Sequence, residues 1–364
     1  MAASENSVDL GFLNDCDSRL LESHYFPSKV GGKPAWLSLN PIPSSESLAC
    51  SKCGGPMVFL LQVYSPRDKD DAFHRTLFLF VCRNGTCCTT NESQNFRVYR
   101  SQLPRMNKFF SPDPPPDDPS KVTDRLSASK YQTLCTVCGC AGPKVCGRCR
   151  RVNYCSKEHQ TMHWKKGHKK ACTTDGTNPT PGADPEEACG VLFPEFELEI
   201  DAENFSPEKP EKEEKDPMAE YREYLTTAEA STESLGTEFS KDELEEMATQ
   251  ETDDDRQFRK FKKRISHAPD QVIRHSRHQE PLWVSHVHKA SAEDIPNCTC
   301  GAPREFEFQV MPQLLNHLQV DSTTEASLDW GTVCVYTCRD SCSIGNKYSP
   351  EFVWKQDFPA SATE

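Results

Sequence analysis

Between residues 135 and 172 the cysteines and histidines follow a spacing that points to metal ligation: Cys135-x2-Cys138-x7-Cys146-x2-Cys149-x4-Tyr154-Cys155-x3-His159-x8-His168-x3-Cys172. Two Cys-x2-Cys knuckles, one Cys-x3-His and one His-x3-Cys supply eight donors, enough for two tetrahedral zinc sites. Three intervening residues put both ligands of each of the last two pairs on one face of a helical turn. Interleaved pairing is the expected arrangement, with Cys135, Cys138, Cys155 and His159 at one site and Cys146, Cys149, His168 and Cys172 at the other. A piece this short cannot fold on apolar burial. Metal would supply most of its folding free energy, about 10 kcal/mol or more per site. Cys140 and His163 lie off the pattern and read as surface or packing residues.

The outer cysteines extend this reading. The chain holds 19 in all, and Met1-Ala2-Ala3-Ser4-Glu5-Asn6 has neither the basic nor the apolar region of a secretory signal. An odd cysteine count without an export signal points to thiols in a reducing compartment, and to metal before disulfides. Cys298-x-Cys300 and Cys338-x3-Cys342 form two separated pairs, as in a zinc ribbon. Cys50-x2-Cys53 with Cys82 and either Cys87 or Cys88 forms a second such set. Free buried cysteine or a disulfide is the alternative at both. Sites saturated with protein ligands leave no position for water or substrate, so they are structural. Cys16, Cys88, Cys140, Cys189 and Cys334 are left over.

The two outer sets sit in stretches that repeat one another. Pro34-Ala35-Trp36-Leu37 matches Pro281-Leu282-Trp283-Val284, and Cys53-Gly-Gly-Pro matches Cys300-Gly-Ala-Pro. Phe59-x2-Gln62-Val63 matches Phe306-x2-Gln309-Val310, Leu77–Arg83 matches Val333–Arg339, and Val98-Tyr99-Arg100 matches Val353-Trp354-Lys355. Agreement at five ordered places implies an internal duplication, 25–105 and 268–358. It aligns Cys334 with Phe78, as a strand residue, and the step to the next strand favours Cys87 over Cys88. Val58 to Tyr64, Thr76 to Cys82 and Phe96 to Arg100 read as strands. Val8-x-Leu10-x-Phe12 alternates as a strand, and Phe196-x-Leu198-x-Ile200 as an edge strand. Phe258, Phe261 and Ile265 have helical spacing, for a helix docked on the second copy. Trp36 and Trp283 read as core.

Charge is distributed unevenly. Residues 201–255 hold 20 acidic and 5 basic residues, whereas the rest of the chain is nearly balanced, although the total is −13. With three prolines and few large apolar side chains, that segment cannot offset its ordering entropy, so disorder is expected, with a short helix from Ser240. Asp113-Pro-Pro-Pro-Asp-Asp-Pro119 forbids regular structure and reads as a second linker. The fold class is therefore β-rich α+β: a duplicated zinc-ribbon-like β-module with an inserted two-zinc finger and an acidic disordered linker. The domains are 1–110, the first β-module; 111–129, a Pro-rich linker; 130–172, the finger; and 173–200, a connector. Residues 201–255 form the acidic linker, 256–358 the second β-module and 359–364 a tail. The linkers are expected to uncouple the finger from its neighbours. No apolar run is long enough to span a membrane.

No catalytic arrangement of Ser/His/Asp, Cys/His or paired carboxylates stands out, and a non-enzyme is expected. Gly31-Gly32-Lys33-Pro34 lacks the spacing of a phosphate loop and reads as a turn. Glu195 and Glu197 read as the solvated face of their strand. Between 144 and 170, Lys144, Arg148, Arg150, Arg151, Lys165, Lys166, Lys169 and Lys170 face a single acid, Glu158. Without a recognition helix or stacking array, direct nucleic-acid binding is not expected.

The central spacing, with Tyr154-Cys155-Ser156-Lys157-Glu158-His159-Gln160 and Trp164-x3-His168-Lys169-x2-Cys172, resembles the MYND zinc finger. Such fingers are usually protein-interaction modules, and several bind proline-rich peptides. The chain as a whole resembles the programmed cell death protein 2 family. That likeness rests on Phe26-Pro-Ser-Lys-Val-Gly-Gly-Lys-Pro-Ala-Trp36-Leu37, Leu192-Phe-Pro-Glu-Phe-Glu197, Phe308-Gln-Val-Met-Pro-Gln-Leu-Leu315 and Glu351-Phe-Val-Trp-Lys-Gln356. The resemblance implies a chaperone and adaptor that captures a newly made small-subunit ribosomal protein for 40S ribosome biogenesis, with residence in cytoplasm and nucleus. A flexible acidic segment could screen such a basic client as an RNA mimic, or serve only as a solvating linker. The client grip is expected at an exposed strand edge or aromatic groove involving Trp36, Trp283, Tyr99 or Trp354. The alternative is a corepressor or signalling adaptor in proliferation and apoptosis, binding Pro-rich peptides through the finger.

Overall fold

The computed structural model describes residues 7–122, 125–172, 190–203, 252–277, 279–320 and 327–358. The helix expected from Ser240, Cys189 and most of the acidic segment lie outside these residues. In chain order the elements begin with β1 (Asp9–Asn14), β2 (Lys29–Val30), β3 (Val58–Tyr64), β4 (His74–Val81) and β5 (Phe96–Leu103). The finger carries β6 (Lys144–Val145), β7 (Asn153–Tyr154), α1 (Lys157–His163) and α2 (Lys169–Ala171). Next come β8 (Phe196–Ala202), α3 (Asp253–Ile265), β9 (Ile273–His275), β10 (Arg304–Val310), β11 (Thr332–Cys338), β12 (Tyr348–Pro350) and β13 (Phe352–Gln356). The protein is β-rich with few helices.

Eleven strands form one sheet in the order β12-β5-β4-β3-β2-β8-β1-β9-β10-β11-β13. Its two ends are consecutive pieces of chain. β12 pairs with β5 and β13 with β11, only Glu351 separates them, and Glu351 N donates to Val98 O at 3.0 Å. The sheet therefore closes on itself, and full closure removes the open edges that invite unwanted pairing. The strand expected at an edge, β8, instead lies in the middle, paired to β1 over six residues and to β2. It and β1 are buttressed on both sides because each half has a neighbour to offer.

The halves match strand for strand, β2-β3-β4-β5 against β9-β10-β11-β13. Each carries a bulge at the equivalent place, between Phe59 and Leu61 in β3 and between Phe306 and Phe308 in β10. Each also uses the repeated glutamine alike. Gln62 Oε1 accepts from Ala35 N at 3.0 Å, and Gln309 Oε1 from Leu282 N at 2.6 Å, clamping the chain just before the tryptophan. The two stretches are thus parts of one sheet and not separate ribbons.

Residues opposite one another in a ladder share a face. One face, with Leu61, Val63, Leu77, Leu79, Val98, Phe308, Val310, Val333 and Val335, is buried within a single apolar cluster. At one end of that interior lie charges. Arg75 donates to Glu307 at 2.7 Å, joined by Arg67 at 2.6 Å and Ser65 at 2.9 Å. Arg100 and Arg304 both bond Glu351, at 2.6 and 2.7 Å. Except for Arg304–Glu351, which lies within the second half, these bonds cross from one half to the other. Burial alone would push the Glu307 carboxyl up, but the charges of Arg75 and Arg67 outweigh it and hold the group well below the ordinary carboxylate range.

The outer face of the first half is aromatic. Trp36 stacks on Phe78 and Phe80 with ring centroids 5.3 and 5.8 Å apart, and the finger covers it. Here the expected uncoupling fails. Trp36 Nε1 donates to Gly139 O at 2.9 Å, Gln132 Nε2 donates to Leu39 O at 2.8 Å, and Val137, Cys138 and Tyr154 share one core with Trp36, Leu37 and Leu39. Two small zinc knuckles leave apolar side chains that need a partner surface, and Trp36 provides it. The Pro-rich stretch is also tied down, since Phe109 and Phe110 are buried and Tyr25 OH donates to Pro116 O at 2.9 Å.

Gly31 and Gly32 form the expected turn, at φ +68° and +62°. A Cβ at Gly31 would lie 1.8 Å from Pro194 O, so the pair lets residues 193–195 cross against the strand. Glu195 is not purely solvated, because its carboxylate bonds buried Lys29. In α3, Thr252 and Asp255 form a capping box, and Phe261 buries against Val284 and Met311 on the second half, with Phe258 and Ile265 beside it.

Candidate metal centres

Four groups of donors converge: Cys50, Cys53, Cys82 and Cys87; Cys135, Cys138, Cys155 and His159; Cys146, Cys149, His168 and Cys172; Cys298, Cys300, Cys338 and Cys342. Within each, every donor atom lies within 4.8 Å of the others. The closest approaches decide whether a metal fits. Cys53 and Cys82 sulfurs are 3.7 Å apart, Cys138 and Cys155 3.6 Å, Cys298 and Cys342 3.7 Å, and Cys300 and Cys338 3.7 Å. A tetrahedron with Zn–S bonds of ~2.3 Å has edges of about 3.8 Å. A disulfide needs ~2.05 Å, so these pairs are spaced for a shared ion and not for oxidation. Among the described residues every cysteine is free.

The local folds explain the spacing. In the outer groups, a tight turn before β3 or β10 brings two thiols together, with Gly54 at φ +70° and Gly301 at φ +91°. The other two come from the end of β4 or β11 and the loop after it. Cys87 completes the first group. Cys88 turns away, donating to Asp329 O at 3.2 Å with Lys355 Nζ 3.5 Å from its sulfur.

In the finger, the two histidines present different nitrogens. His159 Nδ1 sits 3.0 Å from the Cys155 sulfur, whereas His168 Nε2 is 3.4 Å from that of Cys146. Ser156 caps α1, its Oγ accepting from His159 N at 3.2 Å and fixing that turn. His163 is a support residue: it lies within 2.9 Å of Tyr154 OH and stacks on His168 at 4.9 Å. Cys140 and Cys334 are buried without joining a group.

Crowded thiols cannot all ionise in the absence of a cation. Cys146 is held down to about 6 although burial opposes this, through donors from Cys149 and His168, while burial pushes its neighbour Cys172 up to about 11. Burial opposes the shift at Cys298 too, yet Cys300 and Cys342 hold it down to about 7, while burial pushes Cys342 up to about 12. A divalent cation at the centre removes this conflict by favouring the thiolate at every cysteine corner.

The eight basic residues named above, and Lys157 among them in the sequence, are all exposed. Between the finger and the first-half knuckle turn lies a cavity of about 260 Å³, bordered by Glu46, Leu48, Met57, Lys144 and Glu158. The aromatics expected to grip a client sit deeper: Trp36 is 2% exposed, Trp283 6% and Tyr99 8%. Trp354, half-buried, stacks on His288 at 4.6 Å. No helix of the described residues is long and apolar enough to cross a membrane.

A closed β-sheet carrying four Cys/His clusters suited to zinc, two of them in a MYND finger, defines the class of protein. Three family models match: programmed cell death protein 2, N-terminal domain, over residues 7–117; its C-terminal putative domain over 255–357; and the MYND finger over 135–172. Programmed cell death protein 2 of Bos taurus is 46% identical over 369 residues, covering 99% of this chain and 100% of its own. A programmed cell death protein 2-like protein of Homo sapiens is 27% identical over 91% of this chain and 90% of its own. A protein of Schizosaccharomyces pombe named probable 20S rRNA accumulation protein 4 is 24% identical over 86% of this chain and 87% of its own. The chain belongs to the programmed cell death protein 2 family. No solved structure matches it.

Proposed function

We propose that this chain is a non-enzymatic zinc protein of small-subunit ribosome biogenesis, which captures a newly made, basic small-subunit ribosomal protein and keeps it soluble until assembly. The observation that carries this reading is its alignment along most of its length with a relative named for 20S rRNA accumulation. The architecture is compatible with a holdase. All four donor groups are filled by protein side chains, which suits structural zinc, one ion at each. The matching order, bulges and glutamine clamps of the two halves support an origin by internal duplication. Work in both cytoplasm and nucleus follows from this role.

The test is affinity capture during synthesis. One small-subunit ribosomal protein should be recovered in stoichiometric amount, and recovery should survive replacement of exposed finger cations Lys165, Lys166, Lys169 and Lys170. Recovery of nuclear corepressors alone, lost in that variant, would favour the second reading. That reading, an adaptor working through the finger, draws support from the finger's exposed basic face.

A further inference from the structure

A constant step of 247 residues relates Pro34 to Pro281, Trp36 to Trp283, Glu46 to Glu293, Leu48 to Ile295 and Phe59 to Phe306. On the first half this face is occupied. The finger lies over it, accepting a hydrogen bond from Trp36, and it sets Lys144 at the rim of the cavity that Glu46 and Leu48 also line. The occupant is a strongly basic module.

On the second half no described element takes the finger's place. A cavity of about 390 Å³ lies over Phe306 and Tyr336, with Pro281 and Ile295 in its wall. Trp283 packs beside it, and its Nε1 finds no acceptor among the described residues. Glu280 and Glu305 line the cavity alongside Arg277 and Arg304, and the exposed acids Glu293 and Asp294 flank Ile295. Glu293, the counterpart of Glu46, has no ion-pair partner among the described residues. Of the cations here, Arg304 pairs with Glu351 and bonds the carbonyls of Pro296 and Asn297, Arg339 lies 3.9 Å from Glu305, and Arg277 donates to Arg339 O at 3.3 Å.

We infer that this second face is a docking site for a basic polypeptide segment, which places an apolar side chain over Phe306 and Tyr336, sets cations against Glu280 and Glu293, and offers a main-chain carbonyl to Trp283. The inference rests on the function proposed above in naming a ribosomal client as the physiological occupant. The finger shows that the equivalent surface of the first half, built from the same residue types, accepts a polypeptide module through apolar and backbone contacts, with Lys144 set beside Glu46 at the cavity rim. A partly apolar cavity flanked by exposed acids gives a basic partner both contact area and an oriented encounter.

The full chain would be titrated by calorimetry with two sets of probes: purified small-subunit ribosomal proteins, and core histones as basic proteins from outside the ribosome. The variant is Glu280→Lys with Glu293→Lys, both exposed. The charge-matched control is Asp113→Lys with Asp117→Lys, in the Pro-rich stretch. The site predicts that one ribosomal protein binds with micromolar or better affinity. The rim variant should weaken it about tenfold or more and flatten its salt dependence, with the control unchanged. A photo-crosslinking residue at position 292 should label the bound probe. If histones alone bind, with the same sensitivity, the face stands and the ribosomal reading falls. If a ribosomal protein binds equally to wild type and rim variant, that reading stands and this site is wrong. Binding of neither set, or crosslinking at 292 only to a second copy of this chain, overturns the site.

Discussion

Replacing Glu307 by Gln tests whether the two halves are one folding unit. Glu307 and Arg75 are both fully buried, and the carboxylate also takes bonds from Arg67, Ser65 and Thr337. An amide of the same shape keeps one acceptor but turns an NH2 group toward guanidinium donors, and it leaves two cations in the interior with reduced compensation. Breaking a buried pair in this way costs about 3–5 kcal/mol. That is a large share of the ~5–15 kcal/mol by which a domain is ordinarily stable. Because Arg67 and Arg75 belong to the first half and Glu307 to the second, the loss must be felt in both. Equilibrium urea unfolding in zinc-containing buffer gives the magnitude. Hydrogen–deuterium exchange read on β4 and β11 peptides gives its distribution, with protection falling together in the two strands. The triple variant Arg67→Met, Arg75→Met, Glu307→Met should recover more than half of the loss, since a buried charged triad replaced as a whole by apolar groups costs little. A loss below about 1 kcal/mol, or one confined to β10 and β11, would refute the reasoning.

Three further outcomes are expected. Elemental analysis should find one zinc per donor group, so Cys300→Ser should lower the content by one ion while leaving both finger ions in place; loss of all four would mean that the sites are not independent. Gly31→Ala should cost more than the ~1 kcal/mol of an ordinary positive-φ substitution, because its methyl would collide with Pro194 O; thermal unfolding with an unshifted midpoint would contradict the crossing. Burial, helped by the Arg105 charge, holds buried His74 down to about 4. The unfolded chain protonates near 6.5 and the fold resists until about 4, so stability is lost as pH falls through that window, up to ~3 kcal/mol. His74→Phe keeps the stacking on Phe26 and should lose less stability than wild type between pH 7 and 4.5; parallel losses would exclude His74 as the source.

The metal ligands were the most legible part of the sequence, since tetrahedral geometry dictates how far apart knuckle residues can sit. Short β-branched and aromatic runs marked β3, β4 and β5 equally well, and the repeat carried that reading to β11. Short strands escaped: β2, β9 and β12 have two or three residues each, too few for periodicity to register, and they form only because neighbours hold them. The place of β8 was misjudged for a related reason. Phe196-x-Leu198-x-Ile200 alternates as a half-exposed strand does, and nothing local says that β1 and β2 await it on its two sides. Glu307 was hidden by its context. In Glu305-Phe306-Glu307-Phe308 simple alternation puts both acids on one side, but the bulge lets Phe306 face outward beside Trp283 while Phe308 enters the core. The coupling of the finger to Trp36 was also invisible, because a Pro-rich connector reads as slack until its aromatic flanks are seen to be buried.

The ring is closed by residues 348–356, which follow every other strand in chain order. While the polypeptide is being made, β5 waits for β12 across roughly two-thirds of the sequence, and β11 stands without its outer neighbour until β13 appears. Each nascent molecule therefore carries an unpaired first-half edge for most of its own synthesis. Contacts between segments so far apart form slowly, since a long loop must be ordered before any reward is gained. A protein proposed to shelter others thus has a vulnerable interval of its own, and any lesion that delays arrival of the 348–356 strand prolongs it.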